Sequence, residues 1–231
     1  MSKIQKQKKY LQSDQKEIIF KTVLAFIKKY KAHSLLDIGA GGALLAARLS
    51  RQVSEYVAVE KNIAYTKKLK TSGLKVIEGI FPISVPGQYD IVLISHAIPE
   101  SKTEYKDFVK SAWQKVRKGG YLIIITFKGA VDNLVALEKA FYSKQRIGDK
   151  GLYAELIKNL KPLGQLNIKK IESKIYTKHV APLLKLIAES LNLEKRIDIL
   201  KLEKILAEKY ETRNGYVFPM QHLVLSIRKY K

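Results

Sequence analysis

Residues 35–44 read Leu-Leu-Asp-Ile-Gly-Ala-Gly-Gly-Ala-Leu, and no other stretch of the chain restricts its fold so tightly. An unbroken apolar run carries an acid near its end and passes a cluster of glycines. It then resumes as an apolar pattern with helical spacing over 42–51. That is a buried strand, a tight turn and a helix. Glycine serves such a turn in two ways: the backbone needs angles that a Cβ forbids, and a ligand has to come close to the main chain. The free N–H groups at the start of the helix favour an anionic group beside the turn.

The first half of the chain continues the rhythm. The spacing predicts a helix over 13–30, with Ser13-Asp14 supplying its cap. Strands follow over 34–38, 56–60, 75–78, 89–95 and 121–127, with helices over 42–51, 63–72 and 104–116. Apolar strands alternating with helices specify an α/β fold: a mostly parallel, doubly wound sheet with helices on both faces. Beyond Phe127 the pattern changes. Helices are expected over 131–142, 152–159 and 182–210, before the last strand. Strands over 166–176 and 221–229 supply an antiparallel C-terminal edge and bring the sheet to seven strands. With no internal repeat and no low-complexity linker, residues 1–231 read as one domain, with a basic tail at 1–12 and a substrate cover at 131–210.

Twenty-odd residues after the glycines, Val57-Ala-Val-Glu60 is a strand ending in an acid. An acid at the end of the second strand of such a unit accepts hydrogen bonds from ribose hydroxyls. A dinucleotide site shares that much. Asp37 discriminates, because a carboxylate there repels a pyrophosphate but suits an aminoacyl group or a sulfonium. Plainer readings stand beside these. Asp37 could cap the following helix, Glu60 could be a surface acid, and Ser95 and His96 could simply finish a strand. Trp113, at helical spacing with Val109 and Val116, reads as core.

These residues resemble the class I, Rossmann-like S-adenosylmethionine-dependent methyltransferases over roughly 13–127. The resemblance implies that the backbone of Gly39, Ala40 and Gly41, with Asp37, faces the methionine portion of S-adenosylmethionine. It implies Glu60 and Lys61 at the ribose, Ile80 and Phe81 at the adenine, and Ser95 and His96 at the edge of the reaction site. Tyr10 falls where related enzymes lay an N-terminal segment over the cofactor. The chain departs from the pattern at Ala43, where a third glycine is common, and at Ile80, where an acid commonly receives the adenine amino group.

Methyl transfer from a sulfonium is an in-line displacement that needs alignment and dryness, and no protein nucleophile. His96 is the candidate base for an acceptor that keeps its proton, or else a residue that shapes the pocket. Ser95-His-Ala-Ile-Pro-Glu100 is not the Asn/Asp-Pro-Pro-aromatic motif of base-amino methyltransferases, and cytosine-C5 chemistry needs a cysteine. The chain has none, which also removes disulfides and thiolate metal sites. No metal ligand set is assigned. A small metabolite, a protein side chain and RNA remain; Gly215-Tyr-Val-Phe-Pro219 and the last strand look similar to small-molecule members, so that resemblance implies a small-molecule acceptor, with Tyr216, Phe218 and Met220 as candidate pocket residues. An RNA or protein acceptor and a non-catalytic binding module are the alternatives.

The net charge of +22, from 43 Lys+Arg against 21 Asp+Glu, keeps nucleic acid open as a partner. Nine lysines fall between Lys3 and Lys31, yet lysine is spread along the whole chain. Clustering on one face would decide the matter. No apolar run is long enough to span a bilayer and no signal peptide is read, so no membrane contact and a cytoplasmic location are expected.

Overall fold

Leu35 and Leu36 are both fully buried, and they belong to hydrophobic clusters on opposite faces of one strand. That strand, β2 (Ser34–Ile38), is buried at every position. This is why its sequence is continuously apolar rather than alternating. The computed structural model describes residues 11–99, 101–127, 133–142 and 150–230. Tyr10 and nearly all of the basic tail lie outside them. The chain divides into two compact units.

The larger unit comprises Glu17–Gly129, Lys150–Ile171 and His222–Lys231. Parallel to β2 run β3 (Glu55–Glu60) and β5 (Tyr89–Ser95). β4 (Lys75–Glu78) lies outside β3, and β6 (Val116–Thr126) lies outside β5, both again parallel. The last strand, β9 (Gly215–Arg228), runs antiparallel to β6 from Leu223 opposite Thr126 to Arg228 opposite Tyr121. With β7 (Leu166–Thr177) beyond β9, the principal strand order is β7-β9-β6-β5-β2-β3-β4. These are the seven expected strands, with both late ones on one side.

One face of this sheet packs α1 (Gln15–Tyr30), α2 (Ala43–Ser50) and α3 (Ile63–Thr71) through Ile19, Val23, Ile27, Leu45, Leu49 and Leu69. The other packs α4 (Tyr105–Gln114) and α6 (Lys150–Leu160) through Tyr105, Phe108, Val109, Leu156 and Leu160. Trp113 packs, half-buried, against this second cluster. One local expectation fails: residues 116–120, placed before the strand expected over 121–127, already belong to β6, and the register shifts between Tyr89 and Ile91. A Cβ on Gly120 would lie 2.6 Å from the Asp90 carbonyl oxygen, so only glycine fits that irregularity.

The smaller unit has its own core. α5 (Asn133–Glu138), α7 (Val180–Leu191) and α8 (Arg196–Tyr210) bury Leu137, Leu183, Ile187, Leu202 and Leu206 against Ile175 and Phe218. Phe218 is fully buried. β1 (Gln12–Ser13) pairs antiparallel with Ile175–Tyr176, and β8 (Glu211–Thr212) with Gly215–Tyr216. Residue 12 is therefore strand rather than tail, and residue 13 ends that strand before the helix starts at Gln15. Ser13 Oγ accepts from the Gln15 N–H at 3.2 Å, as a cap would. The Asp14 carboxylate turns to β7 instead, accepting from the Lys174 N–H at 2.6 Å.

Candidate functional site

The chain runs outward from β2 through β3 to β4, then returns to the other side of β2 to build β5 and β6. The connections leaving β2 and β5 diverge, and such a reversal opens a crevice at the carboxyl ends of the strands. A cleft of about 520 Å³ lies there. Its lining includes Gly39 from the glycine turn, Glu60 and Lys61 after β3, Ile80 and Phe81 after β4, and His96 after β5. Ala97, Ile98, Pro99, Glu104 and Phe108 also line it.

Gly39 sits at φ +74°, and its N–H donates to the Val59 carbonyl at 2.8 Å. A Cβ there would fall 2.2 Å from the Ala97 Cβ, so the two loops meet only because residue 39 has no side chain. Gly41 is also left-handed, at φ +62°. Its N–H donates to Glu60 Oε2 at 2.7 Å, while the Asn62 N–H donates to Glu60 Oε1 at 2.8 Å. Glu60, 7% exposed, thus ties the glycine turn to the start of α3. Each carboxylate oxygen keeps a further lone pair for a ligand.

Asp37 is buried beneath this turn and does not line the cleft. Its Oδ2 accepts from the Tyr56 hydroxyl at 2.7 Å. Burial lifts its carboxyl to about 6; the Tyr56 bond pulls the other way and the Glu60 charge adds to the rise. Asp37 does not cap α2, whose N-cap is Gly42. Ala40 packs against the core, and Ser95 ends β5 half-buried, both outside the cleft lining.

His96 adopts φ +55°, its N–H donating to the Ile125 carbonyl at 2.8 Å. Its ring stacks on Phe127 with centroids 4.1 Å apart. Its Nε2 lies 3.2 Å from Nδ1 of fully buried His222. Burial, and secondarily the neighbouring His222, hold the His96 imidazole down at about 3. It is neutral at physiological pH.

No protein-family model and no curated protein matches the sequence. Solved structures share its fold. The N-methyltransferase NodS from Bradyrhizobium japonicum WM9 superposes with a TM-score of 0.53 at 10% identity, over 94% of this chain and 98% of that one. The precorrin-6y C5,15-methyltransferase from Geobacter metallireducens GS-15 gives 0.52 at 11% identity, over 89% and 85%. The plantazolicin methyltransferase BamL, in complex with a triazolic desmethylPZN analog and SAH, gives 0.52 at 12%, over 94% and 88%.

The chain has the Rossmann-like fold of the class I methyltransferases.

Within that methyltransferase fold, the structure brings Gly39, Glu60, Lys61, Ile80, Phe81 and His96 to one cleft. Tyr10 lies outside the described residues. Sequence reasoning missed His222, Glu104 and Phe108. His222 had a signal: an antiparallel last strand starts at the carboxyl end of its parallel neighbour. With Leu223 opposite Thr126, His222 arrives beside Phe127 and His96. Glu104 and Phe108 had none, because their place depends on how α4 packs. The Phe108 ring meets Phe81 edge-to-face with centroids 5.4 Å apart.

Proposed function

We propose that this chain transfers a methyl group from S-adenosylmethionine to a small-molecule acceptor. The observation that carries the reading is Glu60: a nearly buried carboxylate, fixed by two backbone N–H groups, at the switch-point cleft of a methyltransferase fold. Its unused lone pairs suit the two hydroxyls of a ribose. Ile80 and Phe81 offer an apolar wall to a purine, and Gly39 leaves the main chain open to close approach. The residues fit the cofactor, which supplies the activated methyl group when bound.

The chain's own part is to bind, orient and exclude water. Asp37 acts from behind the turn, as a negative charge steadied by Tyr56, near the positively charged end of the cofactor. His96 shapes the cleft rather than serving as base, since a group held at about 3 is a poor proton acceptor at neutral pH. A cleft of about 520 Å³ has the size of small-molecule sites. Residues 131–210 are proposed to select the acceptor. We place the activity in the cytoplasm, since a chain without cysteine needs no oxidising compartment. No helix among the described residues is long and apolar enough to cross a membrane.

Calorimetric titration with S-adenosylmethionine and S-adenosylhomocysteine tests the cofactor, with NAD as control. Heat with the first two and none with NAD is expected, with thermal stabilisation that grows as ligand exceeds Kd. Silence with both, or heat with NAD, overturns the reading. Incubation of cell extract with methyl-labelled cofactor tests the acceptor. Label in the small-molecule fraction is expected; label in RNA or protein overturns that part.

A further inference from the structure

One group of basic residues stands together away from the cleft. α1 ends in exposed Lys28, Lys29 and Lys31. Tyr30, between them, lies against Tyr121 of β6 with ring centroids 4.2 Å apart. The guanidinium of Arg228, near the end of β9, stands 5.8 Å from the centroids of both rings and 5.3 Å from that of Tyr230. The Arg228 Nε–H donates to the Gly119 carbonyl at 3.3 Å, which places exposed Lys118 at the same rim. All of these groups sit at the amino ends of the parallel strands. Along β5, from Tyr89 to Ser95, that is about 20 Å from the carboxyl edge where the cleft opens.

The carboxylates nearby do not neutralise the patch. Asp90 accepts from the His33 and Ser34 N–H groups and the Ser34 hydroxyl, and pairs with Arg117 at 3.1 Å. It is spent on holding the strand ends together. Glu55, opposite Ser34 in register, also stands at this end. Four lysines and an arginine remain, with a tyrosine, Tyr230, that is 61% exposed.

We propose that this face binds single-stranded RNA, as an anchoring surface separate from the cleft. Cations spaced along a rim match a phosphate backbone. An exposed tyrosine beside a guanidinium offers a base two flat surfaces on which to stack. An anionic membrane would use the same charges but also wants aliphatic side chains to bury. Among the described residues, the large exposed hydrophobics include no Leu, Ile or Phe at this rim; Tyr230 is the one that stands there. The proposal does not require RNA to be the methyl acceptor.

Fluorescence anisotropy of the full chain, with a labelled single-stranded RNA of about 20 nucleotides, tests it. Engagement of about four phosphates predicts binding that weakens roughly fiftyfold between 50 and 200 mM salt. Lys29→Ala with Lys118→Ala should flatten the log–log salt slope by about 1.4. Tyr230→Ala should weaken binding by about tenfold at fixed salt. Thermal melting of each variant should match the parent, since these side chains are at the surface. No binding at low salt overturns the proposal. So does unchanged affinity in both variants, which would put the RNA elsewhere, or in Tyr230→Ala alone, which would leave a bare charged surface. Capture by phosphatidylserine vesicles without RNA binding overturns it as well.

Discussion

His96 Nε2 and His222 Nδ1 lie 3.2 Å apart, although 126 residues separate them in the chain. With Phe127 stacked on one ring and tilted against the other, the pair forms a dry aromatic wall at the carboxyl edge of the sheet. One nitrogen donates and the other accepts, and protonating His96 places a charge where water is scarce.

That wall predicts a pH dependence of folding. His96 is held at about 3, well below its unfolded value near 6.5, so between those limits the unfolded chain binds the extra proton. Its contribution is whole above about 6.5 and is lost as pH falls toward 3. Asp37 has the opposite sign. Raised to about 6, it favours the folded state below its unfolded value near 3.8 and loses that contribution as pH rises through 6. Between about pH 4 and 6 the two oppose each other. Denaturant melts across that window should therefore show stability of Asp37→Asn falling more steeply with acid than the parent's. His96→Phe should show the reverse, and coincident pH profiles would contradict the assignment.

Gly39 and Gly41 are both left-handed, but only one is crowded. Gly39→Ala drives a Cβ to 2.2 Å from the Ala97 Cβ, whereas at Gly41 an added Cβ meets nothing within 4 Å. Gly41→Ala should cost about 1 kcal/mol from backbone strain alone. Gly39→Ala should cost more than about 2 kcal/mol, adding overpacking to strain, and should abolish cofactor binding. Equal losses in equilibrium unfolding would refute the close approach.

Glu60→Gln keeps the shape of the side chain while removing its charge, and turns an amide donor toward either the Gly41 or the Asn62 N–H. A hydrogen bond to a charged group contributes about 1.5–3 kcal/mol, so S-adenosylhomocysteine should bind at least roughly tenfold more weakly. Calorimetry reads this directly, and parental affinity would remove Glu60 from the site.

Tyr56→Phe deletes the hydroxyl that donates to Asp37 and leaves a buried carboxylate short of a partner. The cost should be about 1–3 kcal/mol at pH 8, where Asp37 is ionised, and smaller near pH 5, where it is largely protonated. A penalty independent of pH would show that the hydroxyl does not serve the carboxylate.

The glycine turn and the two acids were legible because their demands are local. Gly39 and Gly41 announce left-handed backbone, and Glu60 stands at the end of a strand whose neighbour is set by the βαβ rule. Asp37 was legible as a special acid but not in its partner. Tyr56 looks like any apolar-flanked tyrosine until β2 and β3 are put in register. The irregular start of β6 falls before the strand expected over 121–127, because Gly119 and Gly120 mark a break without saying that pairing exists on both sides of it.

The parallel sheet, the succession of strands and helices along the chain and the turn beneath the cleft follow from local sequence, since hydrophobic period and glycine placement act within a few residues. Which side chains meet is settled by the folded chain. His222 reaches His96, Phe108 reaches Phe81, and Arg228 stands over Tyr30 and Tyr121 because strand order and helix packing bring distant segments together. Folding also divides the chain into two units, because the segments that enclose Phe218 and Leu206 are scattered along the chain and show a shared core only once folded.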